Sequence, residues 1–253
     1  MKQVNKFWQF IKNEATDAQP ESIELHIKGD IVDDSQIWVY EWFDESAAAP
    51  NLFKEQLNQF KGKDITVWID SYGGDVFAGA SIYNALKEHD GKITAKIEKA
   101  MSAASVIAMA ADEILMSPVA IMMIHNPLTT ASGNMHDLRK VANVLDEVKE
   151  SIINAYVTKT GRSRNKISQM MDDETWMSAN VAVKEGFADN VLYQEELQAE
   201  NNVHNFSFNR LAVMNSANQS IKNALELMQQ PIENINEIEK EKFLLELVKV
   251  VTP

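Results

Sequence analysis

Cysteine is absent from the 253 residues of this chain. Its absence excludes disulfide bonds, a thiol nucleophile and thiolate metal sites, and it agrees with a reducing compartment. Long apolar runs are missing as well. Residues 1–21 have no apolar core of signal-peptide length, and the most apolar region, 100–124, is interrupted by Asp112, Glu113 and Pro118. We therefore expect a protein of the cytoplasm that does not span a membrane.

Positive charge is also scarce, with 24 basic against 37 acidic residues and a formal net charge of −13. An acidic surface repels phosphate backbones, which argues against nucleic acid as a partner. Apolar residues make up 45% of the chain and charged residues 24%, the balance of a globular protein with a sizeable core. No pattern in the sequence predicts a metal or a cofactor.

Apolar periodicity predicts alternating strands and helices, the order of an α/β fold with mostly parallel strands. The predicted strands are 23–31, 65–69, 93–97, 114–116, 120–124 and 187–192. The predicted helices are 47–60, one that contains Ala78 to Leu86, 102–111, 137–158, 167–171 and 178–185.

Composition divides the chain into three parts. Residues 1–21 are an N-terminal segment, residues 22–194 are the α/β domain, and residues 195–253 are a linker and a helical C-terminal extension. The extension contains two predicted helices, 215–230 and 232–251, which a proline separates.

Three segments at the ends of predicted strands carry residue types that catalysis uses. Gly73 and Gly74 let the backbone approach a ligand closely with its N–H groups directed outward. Ser102 begins a predicted helix, where its hydroxyl and the amide of Ala103 would face one point as nucleophile and oxyanion donor. His125 ends an apolar strand, and an imidazole suits a general base near neutral pH.

Each of these residues also has an ordinary structural explanation. A glycine pair forms tight turns, a serine caps helices, and a lone histidine is more often structural than catalytic. Asp172, Asp173 and Glu174 are candidates for a third, acidic member, although an acidic turn that caps the next helix has the same composition. The order of the segments along the chain carries more information than any one of them.

That order resembles the Clp protease proteolytic subunit family and its phage relatives used in capsid maturation. Residues 69–79 resemble the family's strand and Ser-Pro-Gly-Gly turn, with Tyr72 in place of the proline. The other matching segments are Met123–Pro127 with the histidine, Thr160–Ala179 with the acid, and Gly186–Asp189 with the closing Gly-Leu-x-Asp. The resemblance covers residues 23–192.

The resemblance implies the β-α superhelix that Clp proteases share with crotonase, hydrolysis of peptide bonds, and ring-shaped homo-oligomers that enclose the active sites. It implies Ser102, His125 and Glu174 as the catalytic residues, with the amides of Gly74 and Ala103 as the oxyanion hole.

Two departures from the family pattern leave alternatives open. The family's Gly-x-Ala-Ala before the nucleophile is replaced by residues 98–101, so Ser105, which follows Ala-Ala, is an alternative nucleophile. Ser105 would lie one turn inside the helix, where its hydroxyl can bond a backbone carbonyl. The family's acid is an aspartate, so Asp173 is the alternative to Glu174, and a dyad without an acid is a third possibility.

The predicted partners are a peptide or protein substrate, other copies of the chain in a ring, and either capsid or scaffold proteins or an ATPase unfoldase. Trp176 and the extension from Leu197 favour a prophage head-maturation protease, located in the host cytoplasm or within a prohead. Alternatives are a crotonase-type acyl-coenzyme A enzyme, a serine–lysine dyad using Lys99, and a weakly active or inactive shell protein that serves assembly.

Overall fold

The structure, a computed structural model, describes residues 8–15, 21–32, 47–48 and 50–193. The strands are β1 (Trp8–Asn13), β2 (Ser22–Ile31), β3 (Ala47–Ala48), β4 (Ile65–Gly74), β5 (Ile93–Met101), β6 (Glu113–Ile124), β7 (Thr175–Ser178) and β8 (Asn190–Val191). The helices are α1 (Pro50–Asn58), α2 (Val76–Lys87), α3 (Ala103–Ala108), α4 (Met135–Thr160), α5 (Arg164–Asp172) and α6 (Ala179–Glu185).

The strands form one mixed sheet in the order β1-β2-β4-β5-β6-β7, with β3 beside β2 and β8 beside β6. The pairs β2–β4, β4–β5 and β5–β6 are parallel, which confirms the predicted α/β fold with a mostly parallel sheet. Antiparallel strands flank this parallel centre, since β1 pairs with β2 and β7 pairs with β6. The sequence analysis predicted neither of them. The sheet therefore begins within residues 1–21, ahead of the predicted start of the domain.

Alternating β-branched and aliphatic residues form the parallel centre. Ile65, Val67 and Ile69 of β4 are buried, and the residues between them are half-buried, as the period of a strand requires. The same alternation continues in β2 and β5. The small-residue helix α3 is buried along its whole length, and the apolar face of α2 is buried as well. These helices complete the core above the sheet.

Strand β6 corrects one prediction, because residues 114–116 and 120–124 belong to a single strand that runs through Pro118. Ile97 pairs with Met116, but Lys99 pairs with Ile121, so the register shifts where the proline lies. Proline has no N–H to donate to a ladder and is tolerated in a strand at such irregularities.

Other predicted boundaries change as well, among them the strands predicted at 65–69 and 93–97, which continue to Gly74 and Met101. The helix predicted at 47–60 starts at Pro50, because residues 47–48 pair with β2 and proline suits the first helical position. The helix predicted at 102–111 is the shorter α3, and the strand predicted at 187–192 is reduced to Asn190–Val191. The predicted C-terminal helices, 215–230 and 232–251, lie outside the described residues.

Helix α4 is longer than predicted. Asn134 and Asp137 form a reciprocal capping box at its start, and Gly161 ends it in the left-handed conformation. Its buried residues are confined to its second half: Ile153, Ala155 and Tyr156. Within the described ranges, none of the helices has the length and apolarity that a bilayer span requires.

Parallel strands place their carboxyl ends at the same edge of the sheet, and here three of those ends lie side by side. Ser71 of β4 pairs with Ala100 of β5, and Met101 of β5 pairs with Met123 of β6. The residues that follow these strands are therefore neighbours in space. The glycine pair that ends β4, Ser102 and His125 all occupy this edge.

The glycine that ends β4 predicts a large effect on stability. At Gly74, with φ +146°, an added Cβ would lie 2.1 Å from the Ile31 carbonyl oxygen in β2. We expect Gly74→Ala to lower the free energy of unfolding by more than about 2 kcal/mol, because backbone must move in two strands. Denaturant unfolding at a fixed protein concentration measures this loss.

Gly62→Ala is the matched control. Gly62 also has a positive φ, +75°, but an added Cβ would meet nothing within 4 Å. That variant should lose only the left-handed strain, on the order of 1–2 kcal/mol. Equal losses for the two variants would contradict the close contact between β4 and β2.

Candidate active site

Ser102 lies between β5 and α3 with a backbone conformation that non-glycine residues seldom adopt, φ 52° and ψ −126°. Its N–H donates to the Met123 carbonyl, with 3.0 Å between nitrogen and oxygen, so the β5–β6 ladder extends to it. Its side chain makes no capping hydrogen bond to α3. The ordinary role of a serine at a helix start is thus not the role of this hydroxyl.

His125 lies directly after β6, half-buried, with its ring beside Ser102. The distance from His125 Nε2 to Ser102 Oγ is 2.8 Å, which is a hydrogen bond. When the ring carries its single proton on Nδ1, the serine hydroxyl donates to Nε2. The pair is then arranged for transfer of the serine proton to the imidazole.

The turn at the end of β4 packs directly on Ser102. A Cβ at Gly73 would lie 2.7 Å from Ser102 Cβ and 3.0 Å from Ala103 N, so glycine is required there. The Gly73 N–H donates to Ser71 Oγ at 3.0 Å, and the Ser71 hydroxyl donates to the Gly29 carbonyl at 2.6 Å. The Gly73 amide is therefore occupied within the turn by the Ser71 hydroxyl.

Ser105, the alternative nucleophile, is fully buried one turn inside α3. Its Oγ donates to the Ser102 carbonyl at 2.6 Å and lies 2.8 Å from the hydroxyl of Tyr156 in α4. The bond to a backbone carbonyl is the one that its place in the helix predicts. A hydroxyl enclosed in this way offers no surface to a substrate.

The three candidate acids have different surroundings. Asp172 Oδ1 accepts hydrogen bonds from Lys149 Nζ at 2.6 Å and Asn126 Nδ2 at 2.8 Å, and these two donors lower the pKa of the exposed Asp172 carboxyl. Asp173 is exposed at the end of α5. Glu174 is half-buried with φ 49°.

Sheet register relates one of these acids to the histidine. Strand β7 runs antiparallel to β6, and its first residue, Thr175, pairs with Ile124. Glu174 directly precedes Thr175 and His125 directly follows Ile124, so both residues lie at this end of the ladder. Residues opposite each other in an antiparallel pair have Cβ atoms about 5 Å apart, which is within reach of a carboxylate. The register therefore favours Glu174 over its two neighbours.

The family model of the Clp protease matches residues 21–195, which is more than half of the chain. The chain belongs to the Clp protease family.

Curated relatives agree with this assignment. The ATP-dependent Clp protease proteolytic subunit 1 of Chlamydia muridarum is 33% identical over 186 residues, which cover 69% of this chain and 97% of that protein. The proteolytic subunit 2 of Borreliella burgdorferi is 31% identical over 56% of this chain and 75% of its own length. That of Bacteroides fragilis is 31% identical over 53% and 66%. The match to the family ends ahead of residues 196–253.

One departure from the Clp protease family has a local explanation. Tyr72, which stands where the family has a proline, receives the Lys99 ammonium 3.7 Å above the centre of its ring. Lys99 Nζ also forms an ion pair with Asp70 Oδ1 at 3.0 Å. Because the ammonium is held by these two partners, it does not serve Ser102 as a base. The serine–lysine alternative therefore loses Lys99, the lysine on which it was based.

Two residues of the candidate site were not identified from the sequence. The sequence analysis predicted the helix that contains Tyr156, but it indicated no partner for the phenol. Ser71 was predicted only as part of the glycine turn. A buried phenol usually finds a hydrogen-bond partner, so the position of Tyr156 among the apolar residues of this helix was the available sign of a polar contact. Among the described residues, His, Asp and Glu form no group of three that could hold a metal.

Proposed function

We propose that the chain is a serine endopeptidase that hydrolyses peptide bonds within a ring of identical subunits. The observation that carries this proposal is the 2.8 Å hydrogen bond between His125 Nε2 and an Oγ that caps no helix. Membership of the Clp protease family supports the reaction, and relatives named as ATP-dependent proteolytic subunits support a protein substrate. The names of these relatives also support an ATPase unfoldase as a partner that supplies unfolded substrate.

Acylation begins when His125 Nε2 accepts the proton of Ser102 Oγ and the oxygen attacks the peptide carbonyl carbon. The oxyanion that forms is bound by the amides of Gly74 and Ala103. These donors are fixed before the reaction, so they need no reorganisation when the charge develops. His125 then gives its proton to the departing amine, which leaves an acyl-enzyme on Ser102.

Deacylation repeats these steps with water as the nucleophile. His125 accepts a proton from the water, the tetrahedral intermediate collapses, and the proton returns to Ser102 Oγ as the product carboxylate leaves. In this mechanism Glu174 orients the imidazole and stabilises the imidazolium, a role that glutamate fills in other hydrolase triads.

The competing functions use fewer features of this site. A crotonase-type enzyme needs the paired amides but no hydrogen-bonded serine and histidine. An inactive shell protein has no use for a serine held at φ 52°. The Ser102–His125 contact therefore favours the peptidase over both.

Ser102 is the first residue to test. We expect Ser102→Ala to reduce kcat/KM for a fluorogenic peptide on the order of 10⁴-fold or more, because the covalent route is lost. A fluorophosphonate probe should label the native chain at Ser102 and leave Ser102→Ala unlabelled, as peptide mass spectrometry would show. Ser151→Ala, which removes an exposed hydroxyl from α4, is the matched control and should keep both properties.

Labelling at another residue in an active preparation would refute the assignment of Ser102. Turnover of an acyl-coenzyme A thioester that persists in Ser102→Ala would favour the crotonase reaction instead.

The acid is tested by isosteric amide variants. We expect Glu174→Gln to lower kcat by about 10²-fold or more, because an amide neither holds the imidazole in its reactive tautomer nor stabilises its charge. Asp173→Asn, one residue away and exposed, should stay within about twofold of the native rate. Steady-state kinetics on one peptide decides between them. The reverse order would identify Asp173 as the acid, and two near-native variants would indicate a dyad.

For the biological role we propose processing of capsid or scaffold proteins in a prophage. Residues 196–253, which lie beyond the family match, and Trp176 beside the acid support this specialised branch. We expect portal and capsid genes beside the gene of this chain. The native chain, but not Ser102→Ala, should cleave the capsid or scaffold protein that they encode, as electrophoresis would show. Neighbouring genes of unrelated function, or an uncleaved capsid protein, would refute this role.

A further inference from the structure

A chain of two hydrogen bonds leads from α4 to the backbone of Ser102. Tyr156 lies in α4, its hydroxyl oxygen is 2.8 Å from Ser105 Oγ, and Ser105 Oγ is 2.6 Å from the Ser102 carbonyl oxygen. A carbonyl only accepts, so the single hydroxyl proton of Ser105 is donated to Ser102. Tyr156 must then donate to Ser105. Both bonds therefore point toward the Ser102 carbonyl.

Neither donor has access to water. Tyr156 is 1% exposed and Ser105 is 0% exposed. Burial raises the pKa of the Tyr156 phenol far above its ordinary value, so the phenol keeps its proton throughout the range in which proteins work. The Tyr156 ring packs against Phe187, with 5.5 Å between ring centres, which fixes its position.

The Ser102 carbonyl does not need these side chains to be satisfied. It already accepts the backbone N–H of Ser105 at 2.9 Å and that of Val106 at 3.4 Å. Ser105 Oγ is a third donor to an oxygen that has two lone pairs. The hydrogen bond from Ser105 Oγ is therefore not needed to satisfy the Ser102 carbonyl, and its effect is to hold the direction of that carbonyl.

Because the peptide bond is planar, the orientation of the Ser102 carbonyl also fixes the direction of the Ala103 N–H. The Ser102 carbonyl and the Ala103 N–H belong to one trans peptide unit, so they point in opposite directions. Donors that hold the carbonyl toward α3 thereby aim the Ala103 N–H away from the helix, toward the space beside Ser102 Oγ. At φ 52° and ψ −126°, rotation of this unit would relieve strain, and it would also turn the amide away.

We propose that Ser105 and Tyr156 are positioning residues that hold the Ser102–Ala103 peptide with its N–H directed at the oxyanion. This role rests on the proposed peptidase function. Ser105, the alternative nucleophile of the sequence analysis, thus supports the peptide bond that follows Ser102. The polar group that completes the support comes from a helix 51 positions along the chain.

The test uses Tyr156→Phe, Ser105→Ala and the double variant of the full chain. Each single variant removes one bond of the chain without adding bulk. We expect kcat to fall about 10-fold with KM within about twofold, less than the ~10²–10³-fold cost of losing an oxyanion donor entirely. Because the two hydroxyls act in series, the double variant should be no worse than Ser105→Ala alone.

A second readout separates orientation from packing. A peptide boronic acid, which places an oxygen in the oxyanion position, should bind each variant more weakly by the same factor by which kcat/KM falls. The matching product peptide, which has no oxyanion, should bind them as it binds the native chain. Tyr83→Phe, which removes a partly buried hydroxyl from α2, is the matched control and should leave both affinities and kcat unchanged.

Each outcome decides the matter. Unchanged kcat and boronate affinity, with or without a lower melting temperature, would reduce Ser105 and Tyr156 to packing and overturn this inference alone. Loss of boronate and product binding in equal measure would do the same. A native chain that neither cleaves peptides nor reacts with the boronate would overturn the peptidase function and this inference together. Fluorophosphonate labelling that vanishes in Ser105→Ala but persists in Ser102→Ala would make Ser105 the nucleophile.

Discussion

The backbone of Ser102 is held at both of its ends, and the candidate site depends on this constraint. Its N–H is tied to the Met123 carbonyl of β6, and its C=O is tied to the first turn of α3. Between these anchors the residue keeps a conformation that no local preference favours. A Cβ at Gly73 would occupy the space of the Ser102 side chain, so the glycine turn and the strained serine require each other. Strand β6, the glycine turn that ends β4 and helix α3 all contact Ser102 and hold its backbone.

Local sequence patterns were sufficient for the centre of the fold. Alternation of β-branched residues in β2, β4 and β5 identified the parallel strands, and small residues identified the buried helix after β5. Because parallel strands end at one edge, the positions of Ser102 and His125 followed from the same patterns. The antiparallel strands β1 and β7 did not follow. Both are short segments of six and four residues, too short for a clear periodicity, and the partner of β7 lies about 50 positions earlier in the chain.

Local sequence patterns were also insufficient to identify the acidic member of the site. Asp172, Asp173 and Glu174 are adjacent, and their composition alone does not rank them. Their surroundings are set by the end of α5 and by the pairing of β7 with β6, since Asp172 accepts a hydrogen bond from Lys149 and Glu174 lies at the end of the ladder next to His125. Tyr156 is a similar case, since its partner Ser105 belongs to another helix.

The irregularity of β6 at Pro118 affects the distance between His125 and Ser102. Two steps along β5, from Ile97 to Lys99, correspond to five steps along β6, from Met116 to Ile121. The irregularity takes up the three surplus residues of β6, which would otherwise add about 10 Å to the strand at ~3.3 Å per residue. With an unbroken register His125 would extend that far past Ser102, and no hydrogen bond could join them. The number of residues that β6 takes up around Pro118 therefore sets the distance between Ser102 and His125.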